Sequence, residues 1–283
     1  MNGDDNVDVL VVGGGPAGVA AALVLARARR KVLVVDDGTY RNRQVEEFHG
    51  FPGRDATDPA SFRQDVWVEL ARYGVNKDSQ AVKTVATVPD GLEIVLADDH
   101  RLAARAAVLA TGVADELPAV DGLAERWGRS AFNCPFCDGW EHRDRPVVVL
   151  DAAPGADDLA RMLRQWTARV EMVRADDVAR LVGEGTGLEA IETTDGALIP
   201  ADAVFVKAPV RPRTALAAAL DCRLDEADYV VTNGSGATSH DRLWAAGDVR
   251  RPPPMPHQVV LAAADGASAA ISIHKSLMDR IYR

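Results

Sequence analysis

The chain has 283 residues, 47% of them apolar and 26% charged, enough for a core spread over about two domains and too apolar for a disordered or fibrous protein. Forty-two acidic against 32 basic side chains give a formal charge of -10, which argues against a sequence-independent grip on nucleic-acid phosphates or on an anionic membrane. Three cysteines cannot build a secreted disulfide framework, the opening residues lack the basic and apolar runs of a signal peptide, and no stretch reaches the roughly 20 apolar residues of a spanning helix, so a cytoplasmic protein is expected.

In chain order, residues 8–13 form a short β-branched run ending in glycine, 16–29 carry Ala and Leu at helical spacing, and 31–36 repeat the buried-strand pattern. Together they are a βαβ unit. Residues 92–97 read as an edge strand and 106–112 as a buried strand stopping at a glycine. A second strand-turn-helix-strand begins at Pro146, with a strand at 147–150, an Ala-rich helix running to Trp166 and a strand at 169–173. Strands at 188–192 and 203–207 close that region. Residues 242–248 give one more short strand, the Pro-rich stretch 251–256 is a stiff surface loop, and 259–278 form a last helix.

Between the first strand and helix, Gly13-Gly14-Gly15-Pro16-Ala17-Gly18 supplies G-x-G-x-x-G, and Asp36 ends the next strand 23 residues after Gly13. The first glycine permits a tight turn, Gly15 lets a pyrophosphate approach the backbone, Gly18 allows close helix-strand packing, and free amides at the helix start hold the anion. Asp36 would accept hydrogen bonds from ribose hydroxyls, with Asp37 as the alternative if the register is displaced by one. The second constellation is Cys134-Pro135-Phe136-Cys137-Asp138-Gly139. Two thiols at this spacing allow a disulfide, a helix start can lower one thiol's pKa, and the adjacent acid can move the proton. Half of a zinc site is the competing reading, but Cys222 lies 85 residues away and His142 completes no recognised ligand spacing, so no metal is expected. Cys222 reads as a small buried apolar residue.

The Gly13–Gly18 turn, Ala110-Thr111-Gly112, the Cys134–Gly139 motif, Trp244-Ala-Ala-Gly247-Asp248 and His257-Gln258-Val259 stand in an order that resembles the small, bacterial-type thioredoxin reductases. The resemblance implies an α/β protein with two Rossmann-like domains of three-layer ββα/βαβ type. The FAD domain is discontinuous, 1–114 and 208–283, and a truncated NAD(P)-type domain, 115–207, is inserted and carries the cysteines. A homodimer is implied. By the same likeness Pro16, Ala17, Asn42, Val82, Thr111, Gly112 and Gly247 join the FAD contacts, Asp248 holds the ribityl chain, and His257, Gln258 and Val259 present the positive end of the last helix to the flavin. Cys137 is the thiol facing the flavin, Cys134 the one exchanging with substrate, and Asp138 the proton-transfer acid.

The inserted domain departs from that pattern. Where such reductases carry a glycine-rich turn for NADPH, this chain has Asp151-Ala152-Ala153-Pro154-Gly155, and of the basic cluster for a 2'-phosphate only Arg174 stands, before Ala175-Asp176-Asp177. A carboxylate and two β-carbons at the pyrophosphate position predict impaired NADPH binding; the alternative is a divergent turn that still binds through other groups. The short run to residue 188 predicts that a strand and a helix of the family's domain are missing. Residues 36–42, with the His-containing segment after them, resemble thioredoxin-reductase-like dithiol oxidases, in which a substrate dithiol reduces the disulfide, the flavin takes the electrons and dioxygen becomes hydrogen peroxide. Those oxidases carry His after the second cysteine, whereas Asp138 stands here. An ordinary carboxyl is a weak acid-base partner at neutral pH unless burial raises it.

His49 is a candidate base toward a substrate dithiol, or a histidine satisfied in its loop. His257 polarises the flavin or caps the helix, and His142, Trp140 and Phe136 line the substrate entry or simply pack. The expectation is an FAD-dependent dithiol/disulfide oxidoreductase, oxygen-coupled, acting on a small-molecule dithiol or a thioredoxin-like protein. The rivals are a disulfide reductase fed by NADPH or another carrier such as ferredoxin, and a non-catalytic flavin redox sensor.

Overall fold

A computed structural model describes residues 6–281, and they divide into two compact units. The first takes the chain up to residue 41, 60–114, and from 211 onward; the second takes 42–59 and 115–210. In chain order the elements are β1 (Asn6–Val12), α1 (Pro16–Arg27), β2 (Val32–Val35), α2 (Pro59–Ala71), β3 (Asn76–Asp78), β4 (Val82–Val88), β5 (Gly91–Leu96), β6 (Arg101–Leu109) and β7 (Val113–Asp115). They continue with α3 (Leu123–Arg126), β8 (Ala131–Phe132), α4 (Pro135–Asp138), β9 (Val147–Asp151), α5 (Ala156–Leu163), β10 (Val170–Arg174), β11 (Val178–Val182), β12 (Ala190–Thr193), β13 (Leu198–Pro200) and β14 (Ala203–Val206). The last are β15 (Val210–Pro212), α6 (Ala215–Ala219), β16 (Leu243–Ala245) and α7 (Val259–Ile281).

The first unit is built on a seven-stranded sheet in the order β3-β2-β1-β6-β5-β4, with β16 beside β6. β1 runs parallel to β2 and to β6, so its side chains alternate between two buried layers. Val9 and Val11 face the layer formed with α1 and α7, while Leu10 and Val12 face the layer with Leu92, Ile94 and Leu96 of β5. The expected edge strand at 92–97 is therefore an interior one. β5 pairs with β4 and with the first half of β6, and its apolar residues are fully buried. α2 was not visible in the sequence, because its apolar residues gather on no single stripe of the helix.

The second unit has a parallel sheet in the order β10-β9-β14-β8. Val147, Val149, Ala203 and Phe205 pack on α5, and Val148, Leu150, Val204 and Val206 pack toward the antiparallel sheet β11-β12-β13. That is the expected three-layer arrangement. Between β10 and β11 the chain makes only a three-residue 3-10 turn, Ala175–Asp177, and β11 joins the antiparallel sheet rather than the parallel one. Segment 42–59, which the sequence reading keeps with the first domain, packs instead in the second unit. Arg129 Nη1 meets Glu46 Oε1 at 2.5 Å, and Val45 lies so close to Gly128 that a Cβ there would sit 3.1 Å from its Cγ1.

Candidate functional site

In the first unit β1 delivers the chain into a turn at the N-terminus of α1. Gly13 has φ of 101° and a Cβ on it would lie 2.5 Å from the Ala110 carbonyl oxygen, while a Cβ on Gly18 would overlap the Gly13 carbonyl oxygen. Gly15 differs: a Cβ there would meet nothing within 4 Å. Pro16 occupies the first helical turn and Ala17 is buried beneath it, so the amides at the start of α1 face open space at Gly15. Asp36 follows β2 and is 5% exposed. Its Oδ2 accepts a hydrogen bond from the Tyr40 hydroxyl and lies 3.7 Å from Lys77 Nζ. Burial and that carboxylate together push the Tyr40 phenol well above its usual range. Asp37 is exposed and turns its carboxylate onto the amide of Thr39 at 2.9 Å.

Further along, the Thr111 hydroxyl donates to the Arg213 carbonyl oxygen at 2.7 Å, and the Gly112 carbonyl accepts from the Arg213 amide at 3.0 Å. Val82 opens β4, half-buried opposite Leu96. Asn42 is half-buried and is the first residue of the segment grouped with the second unit. Gly247 precedes Asp248 in a left-handed conformation and donates its amide to Asp265 at 3.3 Å. Asp248 Oδ2 stands 3.5 Å from Arg41 Nη1 and 4.0 Å from His257 Nδ1. His257 Nε2 lies 2.8 Å from the Arg251 carbonyl oxygen, and its Nδ1 lies 2.9 Å from Arg41 Nη1. Burial raises the Asp248 carboxyl, against the pull of His257, Arg41 and Arg251. Gln258 and Val259 lead into α7, whose Gly266 packs directly on the Ala17 carbonyl of α1.

Arg41, Asp265 and Tyr229 were not singled out from sequence. Asp265 is a buried acid joined to Arg251 by two hydrogen bonds of 2.8 Å and to Arg250 at 3.0 Å. The Tyr229 hydroxyl is buried, with no hydrogen-bond partner among the described residues, and its ring lies 6.5 Å from that of His257. An open cradle at a helix N-terminus, a ribose-type carboxylate at the end of β2 and an unpaired buried donor beside Asp248 and His257 fit a flavin dinucleotide such as FAD.

In the second unit β8 ends at Phe132, two positions before Cys134, which caps α4 with Pro135 in its first turn. Cys134 and Cys137 form a disulfide, with Cα atoms 5.3 Å apart. Gly139 closes the motif, because a Cβ there would lie 2.5 Å from the Pro135 oxygen and 3.1 Å from the Trp166 ring. Phe136 meets Trp166 edge-on at 5.6 Å, and Trp140 lies under the Arg143 guanidinium at 4.4 Å; Phe136 and Trp140 are both exposed. Asp138 is half-buried, and its pKa is raised to about 7, first by burial and then by the charge of Glu141. His49 lies in the same unit, its Nε2 3.6 Å from Glu141 Oε1. His142 packs: its Nδ1 is 2.6 Å from Asp202 Oδ2 and its ring lies against Phe132 and Phe205.

The dinucleotide-type turn of this unit is acidic. Asp151 ends β9 exposed, Asp157 and Asp158 occupy the first turn of α5, and Arg174 is held 3.7 Å from Asp176 and 3.9 Å from Asp177. Lys207 reaches Gly155, its Nζ 3.8 Å from where a Cβ would stand.

The family model described as pyridine nucleotide-disulphide oxidoreductase matches residues 7–183 and 166–266. "Thioredoxin reductase tcpT" of Claviceps purpurea is 32% identical over 250 residues, 77% of this chain and 78% of that protein. The "Probable thioredoxin reductase" of Arthroderma benhamiae is 37% identical over 150 residues, so that this chain spans 37% of its length and the match takes 50% of this chain. The crystal structure of HlmI superposes with a TM-score of 0.91 at 34% identity, over 97% of this chain and 93% of that one. The chain thus belongs to the pyridine nucleotide-disulphide oxidoreductase family and is an FAD-dependent thiol-disulfide oxidoreductase of the thioredoxin reductase type.

Proposed function

We propose that the protein is an oxygen-coupled dithiol oxidase, in which a substrate dithiol reduces the Cys134–Cys137 disulfide and NADPH is not the electron source. The observation that carries the reading is the acidic turn of the second unit. Asp151 ends β9 just before the turn, Asp157 and Asp158 lie in the first turn of α5, and the exposed Arg174 lies 3.7 Å from Asp176 and 3.9 Å from Asp177, so a pyrophosphate at this turn would meet carboxylates. FAD would be held by the α1 turn, Asp36, Thr111, Gly112, Asp248 and the start of α7. When bound, it supplies two-electron chemistry between the cysteine pair and dioxygen, with hydrogen peroxide as the product. Thioredoxin's own dithiol couple lies at about -270 mV, and electron flow from a dithiol of that kind to oxygen needs no added driving force.

His49 takes the proton of the attacking substrate thiol, Cys134 is the sulfur that exchanges with substrate and Cys137 is its disulfide partner. Asp138 gives its proton to the departing thiolate. Its raised pKa, about 7, removes the objection to a carboxyl in this position: near neutral pH a substantial fraction is protonated. The substrate class is a small-molecule dithiol or a thioredoxin-like protein. We place the protein in the cytoplasm and take it to act as a homodimer, by its likeness to thioredoxin reductases. A second reading, a reductase fed by NADPH, is favoured by Lys207, the cation beside Gly155.

Anaerobic titration of the purified holoenzyme separates the two. Excess NADPH is expected to leave the flavin yellow, dithiothreitol to bleach it, and admitted oxygen to restore the colour with one peroxide per dithiol. Cys137→Ser is expected to stay yellow with dithiothreitol. Rapid bleaching by NADPH overturns the oxidase reading in favour of the reductase. Stability provides a check on Asp138 that is independent of turnover. Its folded pKa is above the unfolded value, so the folded chain holds an extra proton between pH 3.8 and about 7. Stability is therefore full at low pH and falls as pH rises through that window. Urea unfolding at pH 5 and pH 8 should differ by roughly 3 kcal/mol from this group, and Asp138→Asn should remove that part.

A further inference from the structure

Among the described residues the two most exposed large apolar side chains are Phe136, 68% exposed, and Trp140, 64% exposed. Cys137 stands between them in the chain. Phe136 lies inside the Cys134–Cys137 disulfide loop, on the single turn of α4, and Gly139 carries the helical backbone onward with φ of -71° and ψ of -29°. Trp140 therefore comes one turn after Phe136 and three residues after Cys137, the i+4 and i+3 spacings that bring side chains together on one flank of a helix. A solitary surface aromatic needs no explanation, but two at this spacing beside a disulfide form a strip.

Both rings are held in place. The half-buried Trp166 packs under the turn, where a Cβ on Gly139 would lie 3.1 Å from its ring, and Phe136 meets it edge-on with centroids 5.6 Å apart. The Arg143 guanidinium lies 4.4 Å from the centre of the Trp140 ring, and its Nη1 donates to the Trp140 carbonyl at 2.9 Å. Rings fixed in this way give up little rotamer freedom when a ligand covers them. Beyond the strip the surface turns charged at once, with Glu141, Arg143, Asp144 and Arg145 all exposed. Two rings on one helical turn match the flat body of a small molecule, whereas a stable protein contact needs about 800 Å² from each partner.

We propose that Phe136 and Trp140 form the recognition strip for the substrate, and that the substrate is a small-molecule dithiol with a planar aromatic body. The inference rests on the reading of the cysteine pair as the acceptor of a dithiol's electrons, and it names the class of dithiol. The aromatic body stacks on the exposed rings, which brings its thiols to the disulfide. One substrate sulfur attacks Cys134, the Cys134–Cys137 bond breaks and a mixed disulfide forms. The second substrate sulfur then attacks the first, closes the substrate's own disulfide and releases Cys134. The substrate loses two electrons and two protons, and the cysteine pair gains both as two thiols.

The test compares dithiothreitol with o-xylene-α,α'-dithiol. Both oxidise to a cyclic disulfide of the same ring size, and only the second carries an aromatic ring. Each is mixed anaerobically with the oxidised holoenzyme, samples are quenched with N-ethylmaleimide, and reduction of Cys134–Cys137 is read by mass spectrometry. Each rate is divided by the same reagent's rate with a small disulfide free in solution. The wild type is expected to favour the aromatic reagent about tenfold in this normalised ratio. Phe136→Ala and Trp140→Ala should each remove most of that preference, and Trp140→Phe should keep it. A wild type without preference, or a ratio that stays the same in both alanine variants, overturns the strip and leaves the dithiol reading standing. Reduced thioredoxin that outpaces the aromatic reagent on the wild type and slows in the same variants overturns the small-molecule assignment. Failure of every dithiol to reduce the wild-type disulfide overturns the inference together with the reading on which it rests.

Discussion

The two units contain the same device and use it differently. Each runs a buried strand into a turn, a helix that packs back on the sheet, and a second strand in parallel register: Val12 pairs with Val35 in one, Asp151 with Arg174 in the other. Gly13–Gly18 leaves an open cradle at Gly15 and closes everywhere else. Asp151–Gly155 keeps one left-handed glycine before α5 and fills the rest with a carboxylate, two alanines and a proline. Both turns are compatible with the fold, because the apolar strand and helix faces supply the stability of each unit. Only the first offers an anion its amides without opposing charge. The lesson is that the architecture tolerates turns of very different composition and charge, so architecture alone does not report which cofactor a unit takes.

That contrast can be broken or sharpened by substitution. The largest effect is expected from Gly15→Val, which enters space where the protein has no atom and the backbone already has an ordinary φ of -70°. The variant should match the wild type in circular dichroism and unfolding midpoint but purify almost colourless, with FAD affinity down by about 100-fold. A yellow Gly15→Val protein would show that the cradle is not where the dinucleotide lies. Gly18→Ala should act through the fold instead: its Cβ collides with the Gly13 carbonyl, and urea unfolding should report a loss of about 2–3 kcal/mol. The smallest effect is the converse experiment in the second unit. Asp151→Gly combined with Ala152→Gly should tighten NADPH binding about tenfold in calorimetry, by removing a repelling charge and opening the backbone. If affinity does not change, something other than this turn limits the second site.

Much of the candidate site was legible from local signals. The glycines, Asp36 and the cysteine pair announce themselves because turn geometry and anion contact demand particular residue types at short spacing. Residues whose roles depend on distant partners gave no such signal. Arg41 meets His257 across 216 positions, Asp265 collects Arg250 and Arg251 from the preceding loop, and Glu141 meets His49 only because segment 42–59 packs in the second unit. For His142 the motif left entry and packing both open, and the packing partner, Asp202, stands 60 residues on.

The sequence by itself determined the family resemblance, the strand-turn-helix units and the grouping of Cys134, Cys137 and Asp138 in one motif, since apolar periodicity and short motifs are properties of neighbouring residues. Tertiary structure decided the rest. It made β5 an interior strand, placed His49 with the disulfide-bearing unit, tied Arg174 to its own neighbours, and raised Asp138 toward neutrality by burial beside Glu141. Each of these depends on which groups a folded chain brings together and how much water it leaves between them, and neither quantity is written in local sequence.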